Sequence, residues 1–232
     1  MSNMSNITFK ENGEIIINNF ENPWNGRNLW CSNLNINTIK NILGNNINNI
    51  IEFGSYDGGD GIKYKHYFPN ANVYSIEASP NCYKNMLPLK SYGLNIFNYA
   101  ISDFDGEIDF YQTYDQKLNN YAPCGSVNIK YCSIGQGQDL PLKILPVKKV
   151  PSKKLKTFCQ EQNIQNIDLL HIDVEGHGLS VIKGMEDLNP RMIYIEVKSD
   201  THDHSKEIET LLIKYNYKKI LSLGSDEVYI LN

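Results

Sequence analysis

Long hydrophobic runs are missing from this sequence. No apolar stretch approaches the roughly 20 residues that a bilayer span needs, so no membrane anchor is expected. The opening residues, MSNMSNITFKENG, have neither the basic nor the apolar region of a signal peptide. Charge of one sign is also lacking: 22 Lys and Arg stand against 26 Asp and Glu, for a net charge of −4. Such a balance gives no basic footprint for duplex nucleic acid as the main partner. Cysteine is sparse and irregular. Cys31, Cys82, Cys124, Cys132 and Cys159 are odd in number, with no CxxC or zinc-knuckle spacing. They read as reduced thiols of a cytoplasmic protein.

The 232 residues, 41% of them hydrophobic, fit one large domain or two small ones and suffice for a sizeable core. Short apolar runs bounded by turn residues predict strands at Asn49–Phe53, Asn72–Glu77, Ile167–Ile172 and Met192–Val197. Helices are expected between them, at about Gly61–Phe68, Asn81–Leu89, Ser152–Gln162 and Leu179–Gly184. This alternation argues for an α/β fold: a Rossmann-like, doubly wound, mostly parallel sheet. The strict alternation of EIDFYQTY (Glu107–Tyr114) reads as an antiparallel addition. After a helix at His204–Tyr215, strands Lys218–Ser222 and Glu227–Leu231 would close the sheet as a C-terminal antiparallel hairpin. Residues 1–45 are expected to form an N-terminal extension with a helix near Asn37–Leu43, packed on a domain of residues 46–232. The turn-rich segment Gln112–Pro146 is long enough to act as a lid.

The first chemically specific stretch is IIEFGSYDGGDG, residues 50–61. It has neither the Lys-Ser/Thr of a P-loop nor the spacing of a GxGxxG dinucleotide cradle. Glu52-x-Gly54-Ser55-Tyr56-x-Gly58 suits a cofactor without bound phosphates. Gly54 would let the backbone turn close to a ligand, and Gly58 would open the helix. A second acid, Glu77, ends the next strand in SIEASP (Ser75–Pro80), with the spacing of a ribose-hydroxyl acceptor. The pair points to S-adenosylmethionine rather than NAD.

The second block, IDLLHIDVEGHGLSVIKGM (Ile167–Met185), is a buried strand followed by Asp173-Val174-Glu175-Gly176 and an amphipathic helix. With IEFGSYDGG, SIEASP and NYAISDFDGEIDF, it resembles the FkbM family of S-adenosylmethionine-dependent O-methyltransferases over roughly Ile50–Val197. The resemblance implies methylation of a sugar, glycan or similar small-molecule hydroxyl. It also implies a cofactor site at Glu52, Gly54, Ser55, Tyr56, Gly58, Glu77, Ala78, Ser79, Tyr99, Ala100, Ile101, Ser102 and Asp173. In methyltransferases built on this sheet, the first acid lies near the amino-acid moiety and the second holds the ribose. The family carries an acid where this chain has Gly178, which makes His177 a substitute to consider.

Methyl transfer to a hydroxyl requires in-line placement and removal of a proton. Asp173, at the end of a central strand, is the first choice for base or acceptor-orienting group; its alternative is to cap the following helix. Glu175 and His177 complete the catalytic candidates. Glu196 resembles the family's acid at the end of the next strand and either faces the cleft or pairs with a lysine. Trp24, Arg27 and Trp30 would stack on an acceptor or pack in the core. Ser126 and Tyr121 are further acceptor contacts. In SDTHDHSKE, Asp200, His202, Asp203 and His204 are metal-binding residue types; the polar strand-to-helix setting favours capping, so no metal is expected, and His202 is kept as an acceptor contact. Two rival readings are a methyltransferase acting on RNA or protein, and a cofactor-binding module without catalysis.

Overall fold

The computed structural model describes residues 7–10, 15–17, 28–132 and 142–232. Seven strands make the central sheet: β1 (Asn49–Phe53), β2 (Asn72–Ile76), β3 (Leu94–Phe97), β4 (Leu169–Ile172), β5 (Met192–Glu196), β6 (Tyr217–Leu223) and β7 (Asp226–Leu231). Their spatial order is β3-β2-β1-β4-β5-β7-β6, with only β7 antiparallel to its neighbours. The order reverses between β1 and β4, and open α/β sheets bind ligands at the carboxyl ends of the strands at such a switch point.

Alternation along each strand explains why the strands read as continuous apolar runs. Ile50, Val73, Leu94, Leu169 and Met192 face one side, packed with α1 (Ile36–Leu43), α2 (Gly59–Tyr67) and the 3-10 turn Leu87–Tyr92. Ile51, Ile76, Leu170 and Ile193 face the other, packed with α4 (Leu155–Glu161), α5 (Gly178–Lys183) and α6 (Ser205–Lys214). α3 (Pro80–Met86) follows β2, capped by the Ser79 hydroxyl, which accepts from Cys82 N. The described N-terminal residues share the first core: Ile7, Ile15, Leu29, Leu34, Ile39 and Leu43 are buried in it.

Three expectations need correction. Residues Ser152–Lys154 do not start α4 but end a seven-residue strand, Lys148–Lys154. That strand pairs in parallel with Ala100–Ser102 and antiparallel with Gly106–Phe110, forming a small second sheet. Residues 100–102 are therefore strand. The helix expected through Leu89 ends at Met86, because Pro88 lacks the N–H to continue it and the chain tightens into 3-10 geometry. The long Gln112–Pro146 segment carries structure of its own: Thr113–Asp115 pairs with both Asn120–Tyr121 and Lys143–Ile144. Residues 133–141 lie outside the described residues.

Candidate active site

Two loops meet at the switch point. The β1 loop turns through left-handed geometry at Gly54, Tyr56 and Gly58, with φ of 76°, 45° and 83°. The β4 loop does so at Glu175 and Gly176, with φ of 47° and 83°. Gly54 is required for contact as well as conformation: a Cβ there would lie 1.6 Å from the Asp173 carbonyl oxygen. Asp173 N in turn donates to Phe53 O at 3.0 Å.

Between these loops and β2, β5 and β7 lies a cavity of about 360 Å³, within the range of small-molecule sites. Among the described residues its wall carries eight carboxylates, from Glu52, Asp57, Asp60, Glu77, Asp173, Glu175, Glu196 and Asp226, and neither Lys nor Arg. Burial pushes most of these groups upward. Asp173 rises to about 7, through burial and then the charges of Asp226, Asp60 and Glu77. Glu175 rises to about 8, through burial and Asp173. Glu196 rises to about 10, through burial and then Asp173, Glu175 and Asp226. A buried, acid-rich wall without cationic side chains is a place for a positively charged ligand.

Glu77 bridges the site to its frame. One carboxylate oxygen accepts from Tyr56 N at 2.8 Å and the other from Ser79 N at 2.7 Å. Burial raises its pKa to about 7 despite these two bonds. The sequence reading did not single out Asp57 and Asp60, yet both anchor the extension over the pocket. Asp57 accepts from Trp30 N at 2.9 Å and Gly59 N at 3.0 Å. Asp60 accepts from Ser32 N at 2.7 Å and Ser32 Oγ at 2.8 Å, and pairs with Lys63 at 2.7 Å. Burial alone would raise the Asp60 pKa, but the Lys63 charge, then His171 and the hydrogen bonds, hold it below its usual value. The Trp30 carbonyl lies where a Cβ on residue 59 would fall, 1.9 Å away. Trp30 is thus fixed by its backbone while its side chain is 66% exposed at the pocket.

A polar row crosses the floor of the site. Ser75, Glu52, His171 and Tyr194 are register partners on β2, β1, β4 and β5. Ser75 Oγ donates to Glu52 at 2.9 Å, Tyr64 OH meets His171 Nδ1 at 3.1 Å, and Tyr194 OH donates to Asp226 at 2.6 Å. Glu52, Asp60 and His171 offer ligand atoms within 4.8 Å of one another. Both Asp60 oxygens are already held by Ser32 and Lys63, so the group reads as a fixed polar network.

Of the predicted residues, the pocket gathers Glu52, Gly54, Ser55, Tyr56, Glu77, Ala78, Tyr99, Ala100, Ile101, Asp173, Glu175, His177, Ser126, Glu196 and Trp30. Gly58, Ser79, Ser102 and His202 are not on its wall. Gly58 caps α2 with Leu89 beneath its Cα, and Ser79 caps α3. Ser102 Oγ meets His177 Nε2 at 3.0 Å, and His202 stands behind Glu196. Trp24 and Arg27 lie outside the described residues. Asp173 is no helix cap, because α5 begins five residues later at Gly178. Among the described residues Glu196 meets no lysine; its neighbour is the His202 ring, 3.8 Å away, whose pKa burial lowers. The Ser126 hydroxyl is spent on the Glu175 carbonyl at 2.8 Å. A Cβ on Gly178 would meet Ile195 and Ile208 in the core, so this departure from the family concerns packing against β5 and α6.

Sheet order and site together define an α/β protein of the doubly wound, Rossmann-like class. The chain belongs to the family described as the methyltransferase FkbM domain, which it matches over residues 52–219. Among curated relatives, it is 29% identical over 158 residues to the 2-O-methyltransferase NoeI of Sinorhizobium fredii. That match covers 63% of this chain and 62% of the relative. Solved structures are more distant. A Staphylococcus aureus protein described as a caffeoyl-CoA O-methyltransferase has a TM-score of 0.48 at 14% identity, over 87% of this chain and 86% of that one. The Methanococcus jannaschii fibrillarin pre-rRNA processing protein has a TM-score of 0.44 at 15% identity, over 80% and 66%.

Proposed function

We propose that this enzyme methylates a hydroxyl of a sugar or glycan, or a similar uncharged small molecule. The observation that carries the reading is the pocket wall, with eight carboxylates and no Lys or Arg among the described residues. Such a wall repels phosphate-bearing acceptors and favours a cationic donor beside a neutral acceptor. The name of the NoeI relative, a 2-O-methyltransferase, supports transfer to oxygen. Residues 1–45 are read as an extension packed on a methyltransferase domain of residues 46–232. Five unpaired cysteines support a cytoplasmic location, and among the described residues no helix is long and apolar enough to cross a membrane.

When bound, S-adenosylmethionine supplies an electrophilic methyl on a positively charged sulfur. Glu52, Gly54–Tyr56, Glu77, Ala78 and Tyr99–Ile101 would hold it, with Glu77 taking the ribose hydroxyls. Asp173 and Glu175 place negative charge at the ends of the loops where the acceptor must enter, and Asp173 orients the acceptor hydroxyl. His177 is left out of this machinery, since Ser102 holds its Nε2 and burial lowers its pKa to about 4. Trp30 offers the acceptor an apolar stacking face at the rim.

The test is turnover of the methyl donor on a panel of neutral saccharides, RNA, protein and coenzyme A esters. Methylation of saccharides alone is the expected result. Methylation of RNA or protein would replace this reading with its rival, and tight donor binding without turnover on any acceptor would make the chain a binding module.

A further inference from the structure

Among the described residues, two buried side-chain polar atoms lack a hydrogen-bond partner: Glu196 Oε2 and His202 Nε2. They face each other at 3.8 Å, with the His202 side chain 1% exposed and that of Glu196 13% exposed. Leaving either buried atom unsatisfied is unfavourable, so a chance arrangement of both in one place would be disfavoured.

Local sequence accounts for the geometry. Glu196 ends β5 and lines the pocket. Immediately after it, Lys198–Ser199 pairs with His202–Asp203 in a tight hairpin that folds His202 back behind Glu196. The far side of the ring is fixed. His202 Nδ1 lies 2.9 Å from Ser199 Oγ and 3.2 Å from Thr201 Oγ1. Thr201 donates to Tyr131 O at 3.2 Å, and the Ser199 hydroxyl lies within reach of both Thr201 Oγ1, at 3.0 Å, and Nδ1; its donation to Nδ1 would place the ring proton on Nε2, towards Glu196. Tyr131 and His204 close the pocket around the ring, each with centroids 5.3 Å from it or, for Tyr131 and His204 between themselves, 5.4 Å.

We propose that His202 is a positioning residue for Glu196, whose carboxylate takes the proton from the acceptor hydroxyl while His202 Nε2–H holds it in place. The assignment rests on transfer to a hydroxyl, as proposed above. The O–H bond breaks, its proton going to Glu196 and its electron pair into the new O–C bond; sulfur keeps the pair of the S–C bond that is lost. Burial and the acidic neighbours Asp173, Glu175 and Asp226 hold this carboxyl protonated in the empty pocket; the positive charge of a bound sulfonium donor favours its ionised form, which the Nε2–H behind it would then orient towards the cleft.

The first measurement needs no acceptor. ¹⁵N NMR of the ring nitrogens in the full-length enzyme should show His202 protonated on Nε2, with a resonance that shifts in Glu196→Gln. A proton on Nδ1, or a resonance indifferent to Glu196→Gln, overturns the proposal. The second measurement is kinetic. His202→Leu should lower kcat roughly 10–100-fold, the range seen when an outer-shell orienting bond is lost, with donor affinity unchanged. His202→Gln, which can present its amide N–H where Nε2 was, should recover most of that loss, and His202→Asn should not. Equal losses in the Gln and Asn variants would make the role structural and overturn the assignment. Saturable Mn²⁺ binding that disappears in His202→Leu would make the pair a metal site, again overturning it. If wild-type enzyme methylates no hydroxyl at all, the function proposed above falls, whatever the NMR reports.

Discussion

The carbonyl oxygen of Asp173 occupies the space beside Gly54 so closely that a Cβ on residue 54 would sit 1.6 Å from it. The two signature blocks of the sequence, a hundred residues and more apart, are thereby locked together backbone to backbone. Gly54→Ala should break this lock. The left-handed φ of 76° alone costs an alanine about 1–3 kcal/mol, before the clash is relieved. At about 2–4 °C per kcal/mol for a chain of this size, calorimetry should show melting lowered by several degrees, with donor binding weakened as well. Unchanged melting and affinity would mean that the β4 loop can move aside freely.

Glu77 is expected to serve the donor site directly while also holding the Tyr56 and Ser79 amides. Glu77→Ala should weaken S-adenosylmethionine binding by about 1.5–3 kcal/mol, the range for hydrogen bonds to a charged group. Titration calorimetry on the folded variant checks this. An affinity equal to wild type would leave Glu77 as a loop brace only.

The raised carboxyls predict a proton signature. Without donor, Asp173 and Glu175 keep their protons to about 7 and 8 in the folded enzyme, whereas unfolded they ionise near 4. Between these values the unfolded state binds fewer protons, so stability contributed by these groups falls as pH rises from about 4 through about 8. A bound cation favours their ionised forms. Donor binding near pH 7 should therefore release protons, and its stabilising effect should grow with rising pH across that window. Binding enthalpies in buffers of different ionisation enthalpy read this directly; identical enthalpies would show that no carboxyl changes state.

Asp173→Asn should keep the donor and lose the chemistry. The substitution preserves shape, and no helix cap is lost, since α5 starts at Gly178. The negative charge that orients the acceptor disappears. Turnover should fall roughly 10²–10⁴-fold, the scale of a lost acid–base or orienting group, with near-native melting. Turnover close to wild type would move the function to Glu175 and Glu196.

Much of this architecture is readable in the chain because both sheet faces are buried. The doubled apolar runs at Asn49–Phe53 and Met192–Glu196 leave the strands little alternative, and Gly54 marks where the first of them ends. The second sheet was only partly readable: the alternation from Glu107 marks its antiparallel strand, but Lys148–Lys154 is a Lys-rich segment that becomes a strand only by pairing with Ala100–Ser102 and Gly106–Phe110, and such long-range pairing leaves no local signal. The site divides in the same way. Glu52, Glu77 and Asp173 stand at strand ends, where position alone implicates them. Asp60 and Asp57 were hidden in a run that looked like a glycine turn, although two acids three residues apart on a helix start could have signalled an anchor. His171 carried a signal too, as a polar residue inside the buried run LLHI. Asp226 had none: it enters the pocket only because β7 inserts beside β5.

The central claim is transfer of a methyl from a sulfonium donor to a neutral hydroxyl oxygen in an acid-walled pocket. Its most direct measurement is to supply donor carrying a ¹³C-labelled methyl together with a neutral saccharide acceptor, and to locate the label by NMR in the isolated product. The account predicts label in an alkali-stable methyl ether on one sugar hydroxyl, with none when that hydroxyl is replaced by hydrogen. Label on nitrogen, in an alkali-labile ester or on RNA would contradict it.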